Sequence, residues 1–262
     1  MMFGFVLARL ARAMIVLFAT VTFVFIVLRL SGDPAQQMLS DLANPEALAA
    51  FRTNWGLDRS IPEQYLIYLA NAFQGDFGTS FADGRDVFAV IGERVPKTLS
   101  VTVSAFLLTM LIGIPAGILA AVRRETVTDK AVMAGAVVGY SVPNFLLGVA
   151  LIFIFAVWLR VLPSSGSSTW QHAILPVATL VLAGAATISR FTRSTLIDVL
   201  GQPYIAAARA DGIPEREIIL RHALPNAAIP LVTMLGFGAG GMLGGAVFVE
   251  TVFAWPGLGS GF

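Results

Sequence analysis

The 262-residue sequence contains no cysteine and few charged side chains. The absence of cysteine excludes disulfides and thiolate metal sites. Asp, Glu, Lys and Arg make up only 13% of the residues, and a formal net charge of +1 does not favour a polyanionic partner such as nucleic acid. The two histidines lack metal-ligand spacing, and no nucleophile is paired with a base. We therefore expect no catalytic residue, no metal and no nucleic-acid partner.

A nucleotide-binding loop is missing as well. Residues 92–98 approach a phosphate-binding loop, but Pro96 stands where a glycine is needed and Ile91 where the first glycine belongs. Proline has no N–H with which to bind phosphate. The sequence therefore predicts no cofactor bound by this chain, and any energy from ATP has to come from a separate subunit.

Long uncharged segments dominate instead, because 56% of the residues are hydrophobic and the charges leave wide gaps. A gap of about twenty apolar residues allows a helix to cross a bilayer. A cleaved signal peptide is the alternative for the first gap, but no small-x-small cleavage site follows it, which favours a retained span. The sequence predicts an all-α membrane protein with five spans, at residues 13–28, 98–122, 131–159, 172–189 and 227–249.

The distribution of Lys and Arg predicts the orientation of these spans. Loops on one side, residues 1–12, 123–130 and 190–221, hold ten of these side chains in 52 positions. Loops on the other side, residues 29–97 and 160–172, hold seven in 82. Because the side richer in Lys and Arg is normally cytoplasmic, we expect a cytoplasmic N-terminus and a cytoplasmic segment between the fourth and fifth spans.

A long polar segment, residues 31–97, separates the first two spans. Within it, residues 85–95 place apolar side chains at helical spacing, so this stretch lies either along the membrane surface or against its own domain. We divide the chain into residues 1–30 as N-terminus and first span, 31–97 as an extracytoplasmic domain, and 98–262 as the transmembrane core.

The charged insert Tyr204–Pro225 between the last two spans is the most informative stretch. Its first part, 205–210, favours a helix that ends at Gly212, because glycine accepts the left-handed conformation at a helix C-terminus. Pro214 suits the start of a second helix, with Glu215 near its positive end. The insert is therefore predicted to form two short helices, joined by a turn, that press on a moving partner at the membrane face.

This insert resembles the coupling loop of ABC-importer permeases, whose pattern is Glu-Ala-Ala, three residues, Gly, nine residues, Ile-x-Leu-Pro. The matching positions are Ala207, Ala208, Gly212, Leu224 and Pro225. The departures are Ala206 in place of Glu and His222 in place of Ile. Further segments that resemble the dipeptide/oligopeptide/nickel branch of the family are Asn54–Asp58, Gln64-Tyr65, Gly75–Gly78, Arg190–Ser194, Glu250–Phe253 and Pro256–Gly259.

The resemblance implies a permease subunit of a binding-protein-dependent importer in the inner membrane of a prokaryote, with the type I importer fold and a sixth span beyond Phe262. It implies contact with membrane lipid and three kinds of protein partner: a second, similar permease, two cytoplasmic ATPase subunits that bind ATP and Mg²⁺, and an extracytoplasmic substrate-binding protein. It assigns ATPase coupling to residues 190–226, with these candidate residues: Ala207, Ala208, Asp211, Gly212, Glu215, Leu224 and Pro225.

Four polar residues in or beside the spans are candidates for the translocation path or its gate: Tyr140, Ser141, Asn144 and Glu250. The alternatives are a proline kink bonded to a neighbouring helix for the first three, and a carboxylate at headgroup level for Glu250. No Asp, Glu, Lys or Arg lies deep inside a predicted span, which speaks against an ion-coupled carrier. A secondary transporter or channel without an ATPase, and a membrane scaffold, are the competing hypotheses.

Overall fold

The structure is a computed structural model that describes residues 2–30, 45–54, 56–80 and 84–261. The described residues are mostly helical, and the chain divides into two units, residues 1–90 and 91–262. Parts of the predicted extracytoplasmic domain, residues 31–44, Trp55 and 81–83, lie outside the described residues.

Helices are numbered here in chain order. Their bounds are α1 (Met2–Leu30), α2 (Pro45–Asn54), α3 (Ile61–Phe73), α4 (Val87–Val122), α5 (Val127–Ser141), α6 (Asn144–Leu151), α7 (Ile174–Leu200), α8 (Pro203–Ala210), α9 (Glu215–Glu217) and α10 (Leu224–Val252). Wider π-helical turns extend α6 over Ile152–Trp158 and connect α9 to α10 over Ile218–Ala223. Among the described residues, four helical stretches are long and apolar enough to cross a membrane, and the bent pair α5 and α6 counts as a fifth where the pair is taken as one span. The five spans predicted from the sequence all fall on these stretches.

In the first unit, α3 packs on the C-terminal half of α1. The hydroxyl groups of Thr22 and Tyr65 lie 2.6 Å apart, and the Tyr65 ring lies 5.2 Å from that of Phe25. Ser60 is the N-cap residue of α3: its backbone N–H and its hydroxyl donate hydrogen bonds to the Glu63 carboxylate, at 3.1 and 2.9 Å. These bonds hold the pKa of Glu63 below its ordinary value, and they fix the entry into the helix.

Residues 87–122 form one continuous helix that passes through Pro96 and Pro115. The sequence predicted a separate amphipathic segment over 85–95, followed by a span that starts at Thr98. The structure joins the two, because the helical spacing of the segment continues directly into the apolar span.

The third predicted span is broken rather than straight. Its two halves, α5 and α6, meet at 103°. Val142 between them is extended, with φ −93° and ψ 125°, because the ring of Pro143 disfavours the helical conformation of the residue before it. A single helix over 131–159 was therefore the wrong shape, and Asn144 begins a new helix.

Two apolar clusters hold the second unit together near opposite ends of α7 and α10, and both include residues of α4. The loop-end cluster, next to the charged insert, consists of Ala121, Leu196, Ile205, Ala208, Ile218, Ala223, Ala227 and Leu231. The far-end cluster consists of Val101, Ala105, Leu175, Leu180, Val181, Val249, Phe253 and Trp255. Since both clusters draw on the same three helices, α7 and α10 are fixed near both of their ends and α4 is fixed at two points along its length.

Six glycines lie along α10, and a helix rich in glycine allows close approach of a neighbour. Within the described chain such close packing occurs only at Gly245, where an added Cβ would lie 3.3 Å from the side-chain nitrogen of Asn144. An added Cβ would meet no atom within 4 Å at Gly236, Gly238, Gly240, Gly241 and Gly244. The middle of α10 is therefore open on its glycine side in this chain.

Candidate coupling loop and translocation path

The charged insert forms the two short helices predicted from its sequence, α8 and α9. Helix α8 ends in a Schellman motif: Gly212 N–H donates to Arg209 O at 3.1 Å, and Ile213 N–H donates to Ala208 O at 3.2 Å. The motif requires a left-handed residue, and Gly212 has φ +78°. Space is not the constraint, because nothing lies within 4 Å of an added Cβ there. Backbone conformation alone therefore selects glycine at 212. Pro214 precedes α9 rather than forming its first residue.

An ion pair spans this turn. Arg209 on α8 donates from Nε and Nη2 to the two carboxylate oxygens of Glu215 on α9, at 3.0 and 2.7 Å. About half of each side chain is exposed, at 45% and 52%, so the pair contributes little to folding stability. Its geometry nevertheless restricts the angle between the two helices, because a guanidinium that makes two parallel bonds fixes both direction and distance.

The insert has a buried face and an exposed face. Ile205 and Ile218 are fully buried and Ala208 nearly so, and all three belong to the loop-end cluster. Leu224 is partly buried and packs against the same cluster. The other candidate coupling residues are exposed: Ala207, Asp211, Gly212, Glu215 and Pro225. Ala208 and Leu224 thus attach the insert to the bundle, while the exposed group forms a surface that a partner can contact.

Asn144, at the break of the third span, lines a cavity of about 190 Å³ between α4, α6, α7 and α10. Thr109 lines it too, and its buried hydroxyl has no hydrogen-bond partner among the described residues. Tyr140 and Ser141 are exposed at the end of α5 and are not among the lining residues. The guanidinium of Arg190 lies 4.6 Å above the Tyr140 ring. The structure therefore separates Asn144 from the other two polar candidates of this stretch.

Glu250 lies at the far end of α10 and is only 1% exposed. Its carboxylate accepts hydrogen bonds from the Thr98 hydroxyl and from the Gly259 N–H, each at 2.6 Å. Sequence reasoning missed both partners: Thr98 is 152 residues away along the chain, and Gly259, nine residues away, was noted only as part of a family-like segment.

Comparison with known proteins agrees with the geometry of the insert. Residues 113–262 match the family described as binding-protein-dependent transport system inner membrane component, and residues 2–102 match its N-terminal family. The chain belongs to this family. It is a membrane-spanning permease subunit of an ABC importer, and in this family the ATPase is a separate subunit. The resemblance seen in the sequence is therefore confirmed.

Several relatives of this permease are similar over nearly its whole length. The glutathione transport system permease protein GsiC of Escherichia coli K12 is 42% identical over 259 residues, which cover 98% of this chain and 85% of that protein. GsiC of Salmonella choleraesuis is also 42% identical, over 260 residues. Among solved structures, an inward-facing MetNI methionine ABC transporter matches 65% of this chain and 77% of its own, with a TM-score of 0.54 and 25% identity. The expected importer fold is thus confirmed.

A second ion pair of the permease was not anticipated from its sequence. Arg193 on α7 donates from Nε and Nη2 to the two carboxylate oxygens of Asp129, at 2.5 and 2.6 Å, and Glu125 N–H donates to the same carboxylate at 2.9 Å. Asp129 is 3% exposed. The available signals were an Asp in the loop before the third predicted span and an Arg in a family-like segment. Nothing in either position indicates that the two residues meet.

Proposed function

We propose that the permease forms part of the path for a peptide or a similar small solute, and that residues 204–225 couple this path to the ATPase. The observation that carries the proposal is the two-faced insert. Its buried face, Ile205, Ala208 and Ile218, is joined to the spans through the loop-end cluster. Its exposed face includes Ala207 and Glu215 and is free to receive a partner.

The insert works as a largely rigid lever. Glycine at 212 completes the Schellman motif, and the Arg209–Glu215 pair braces the two helices against each other. The loop-end cluster contains Leu196 of α7 and Leu231 of α10, so displacement of the insert moves both spans. Close-packed side chains transmit such displacement because they deform little. ATP and Mg²⁺ bind to the two ATPase subunits. The closure of these subunits on each other displaces the insert.

The proposed partners are a second permease, two cytoplasmic ATPase subunits and an extracytoplasmic binding protein that is received by residues 31–97. The Lys and Arg distribution supports a cytoplasmic N-terminus and a cytoplasmic insert. A peptide-like solute is supported by relatives named for glutathione, a small peptide. The permease itself binds no cofactor in this proposal.

The break in the third span supports a place for the solute within the bundle. Asn144 and Thr109 present hydrogen-bonding groups to a cavity that otherwise has mostly apolar walls. A buried hydroxyl without a partner is costly, and a passing solute or water would satisfy it. Tyr140 and Ser141 are exposed at the end of α5 and do not line this cavity; in this proposal they belong to a different part of the path.

Co-purification of the ATPase tests the coupling proposal. Ala207→Arg adds bulk to the exposed face without entering the loop-end cluster, whereas Ala207→Ser is the matched small substitution. We expect Ala207→Arg to insert normally, to recover at least tenfold less ATPase, and to lose uptake, while Ala207→Ser resembles the wild type. Uptake that continues without any associated ATPase would instead identify a carrier or channel.

A further inference from the structure

The far end of α10 carries a buried carboxylate that the coupling mechanism does not use. Glu250 is 1% exposed, and within the described residues its contacts are hydrogen bonds rather than an ion pair. Burying a carboxylate is unfavourable unless its oxygens are bonded. Both oxygens are: Oε1 accepts from the Thr98 hydroxyl and Oε2 from the Gly259 N–H. A solute can reach this carboxylate only by displacing one of these donors.

The same contacts join α10 to the start of the α4 span. The Thr98 hydroxyl oxygen also accepts the Leu258 N–H at 2.9 Å. The indole N–H of Trp255 donates to Lys97 O at 3.1 Å, and the Trp255 backbone N–H donates to Glu250 O at 2.8 Å. The turn 254–259 is therefore bonded to both helices at once, with the Glu250 carboxylate at its centre.

Two glycines allow this turn to close. A Cβ added at Gly257 would overlap the Glu250 carboxyl group, and one added at Gly259 would overlap the backbone of Val247. Neither glycine has a positive φ, so the requirement is space rather than backbone conformation. The spacing of Glu250, Gly257 and Gly259 in the sequence thus has a steric explanation.

We propose that Glu250 is a positioning residue that, with Thr98, fastens the turn 254–259 to the outer ends of the two spans formed by α4 and α10. We call this arrangement the outer anchor. It keeps the outer ends of the two spans together during transport, and Glu250 does not contact the solute. The open glycine side in the middle of α10 lies between the outer anchor and the loop-end cluster.

The proposal goes beyond the coupling function and is tested at Thr98, which leaves the carboxylate in place. Thr98→Val removes both hydroxyl bonds of the outer anchor at nearly constant volume, and Thr98→Ser keeps them. Thr102→Val is the matched control, because Thr102 lies one turn away on α4, is 4% exposed like Thr98, and bonds only to carbonyls of its own helix.

The variants are compared in the complete transporter reconstituted in liposomes. Hydrogen exchange reports on the amides of Leu258 and Gly259, and uptake of radiolabelled glutathione gives KM and Vmax. The rate of ATP hydrolysis is measured without added solute. We expect Thr98→Val to speed exchange at these amides at least tenfold and to lower both Vmax and the rate of ATP hydrolysis severalfold, with KM unchanged. Thr98→Ser restores wild-type values, and Thr102→Val changes none of them.

Two results would overturn the outer anchor. One is unchanged exchange and unchanged uptake in Thr98→Val. The other is a raised KM for Glu250→Gln with unchanged exchange at residues 255–259, which would make Glu250 a solute contact. Co-purification of the ATPase with Thr98→Val keeps this test separate from the coupling proposal, since the outer anchor lies at the opposite end of the spans and its loss leaves the ATPase bound.

Discussion

Asp129 and Arg193 lie 64 residues apart in the chain and form an ion pair with two hydrogen bonds. The pair joins the first turn of α5 to the C-terminal part of α7, beyond the predicted span. Helix α7 leads directly into the insert through Gly201 and Gln202. The pair therefore connects α5, the first half of the broken span, to α7, the helix that leads into the insert. In the proposed coupling mechanism, movement of the insert is passed to α5 through this contact and to α10 through the loop-end cluster.

Breaking this pair is expected to destabilise the permease more than breaking an exposed one. Asp129→Asn leaves the Arg193 guanidinium, only 25% exposed, without its charge partner. We expect the melting temperature in detergent to fall by several degrees. The control Glu217→Gln removes the exposed i,i+4 pair with Arg221 and is expected to change the melting temperature by about one degree at most. Equal shifts of the melting temperature for both variants would show that the Asp129–Arg193 pair stabilises the permease no more than an exposed pair does.

Substitutions at Gly212 should impair coupling in the order in which side chains tolerate a left-handed backbone. Gly212→Asn is expected to retain most activity, Gly212→Ala less, and Gly212→Val almost none, since a left-handed L-residue costs roughly 1–2 kcal/mol and β-branching adds to it. ATP hydrolysed per solute taken up measures the coupling. Similar values for Asn and Val would mean that the turn does not need this conformation.

The Arg209–Glu215 pair is predicted to brace the lever and not to contact the ATPase through its charge. Glu215→Gln should change stability by under about 1 kcal/mol, because the pair is half exposed, yet reduce coupled uptake. The exchange variant Arg209→Glu with Glu215→Arg rebuilds the pair and should recover much of the loss. Failure of the exchange to recover uptake would indicate a direct charge contact between Glu215 and the ATPase.

Thr109→Val separates a structural role of the cavity from a transport role. The Thr109 hydroxyl is buried without a described partner, so valine should leave stability unchanged or raise it by up to about 1 kcal/mol. If the cavity lies on the path, KM for uptake rises at the same time. The control Thr179→Val removes a hydroxyl that is buried but bonded to Leu175 O. A variant that is more stable and transports normally would exclude Thr109 from the path.

Local chemistry made parts of this structure predictable. The end of α8 follows from glycine at 212, and the Glu217–Arg221 pair follows from helical spacing, at 2.7 Å in the structure. The break at Pro143 was predicted only as a possible kink, because the sequence shows that proline disturbs a helix but not how far the halves turn. Packing against α7 and α10 determines that angle.

Long-range contacts escaped sequence reasoning for a different reason. Glu250 and Thr98 each suited a position at a membrane surface, and neither residue type indicates a specific partner far away in the chain. The glycines of α10 likewise showed that close approach is sterically allowed but not which helix approaches. A local pattern limits what a residue can do, whereas the fold decides which other residue it meets.

The most direct test of the coupling account uses two adjacent alanines. The 262 residues contain no cysteine, so a single cysteine introduced at Ala207 or Ala208 can be crosslinked to a cysteine on the ATPase without competition from other cysteines among these residues. Ala207 is exposed and Ala208 is 8% exposed in the loop-end cluster. The account predicts a crosslink whose yield changes with ATP for Ala207→Cys and none for Ala208→Cys. Absence of both crosslinks in a transporter that still takes up solute would contradict it.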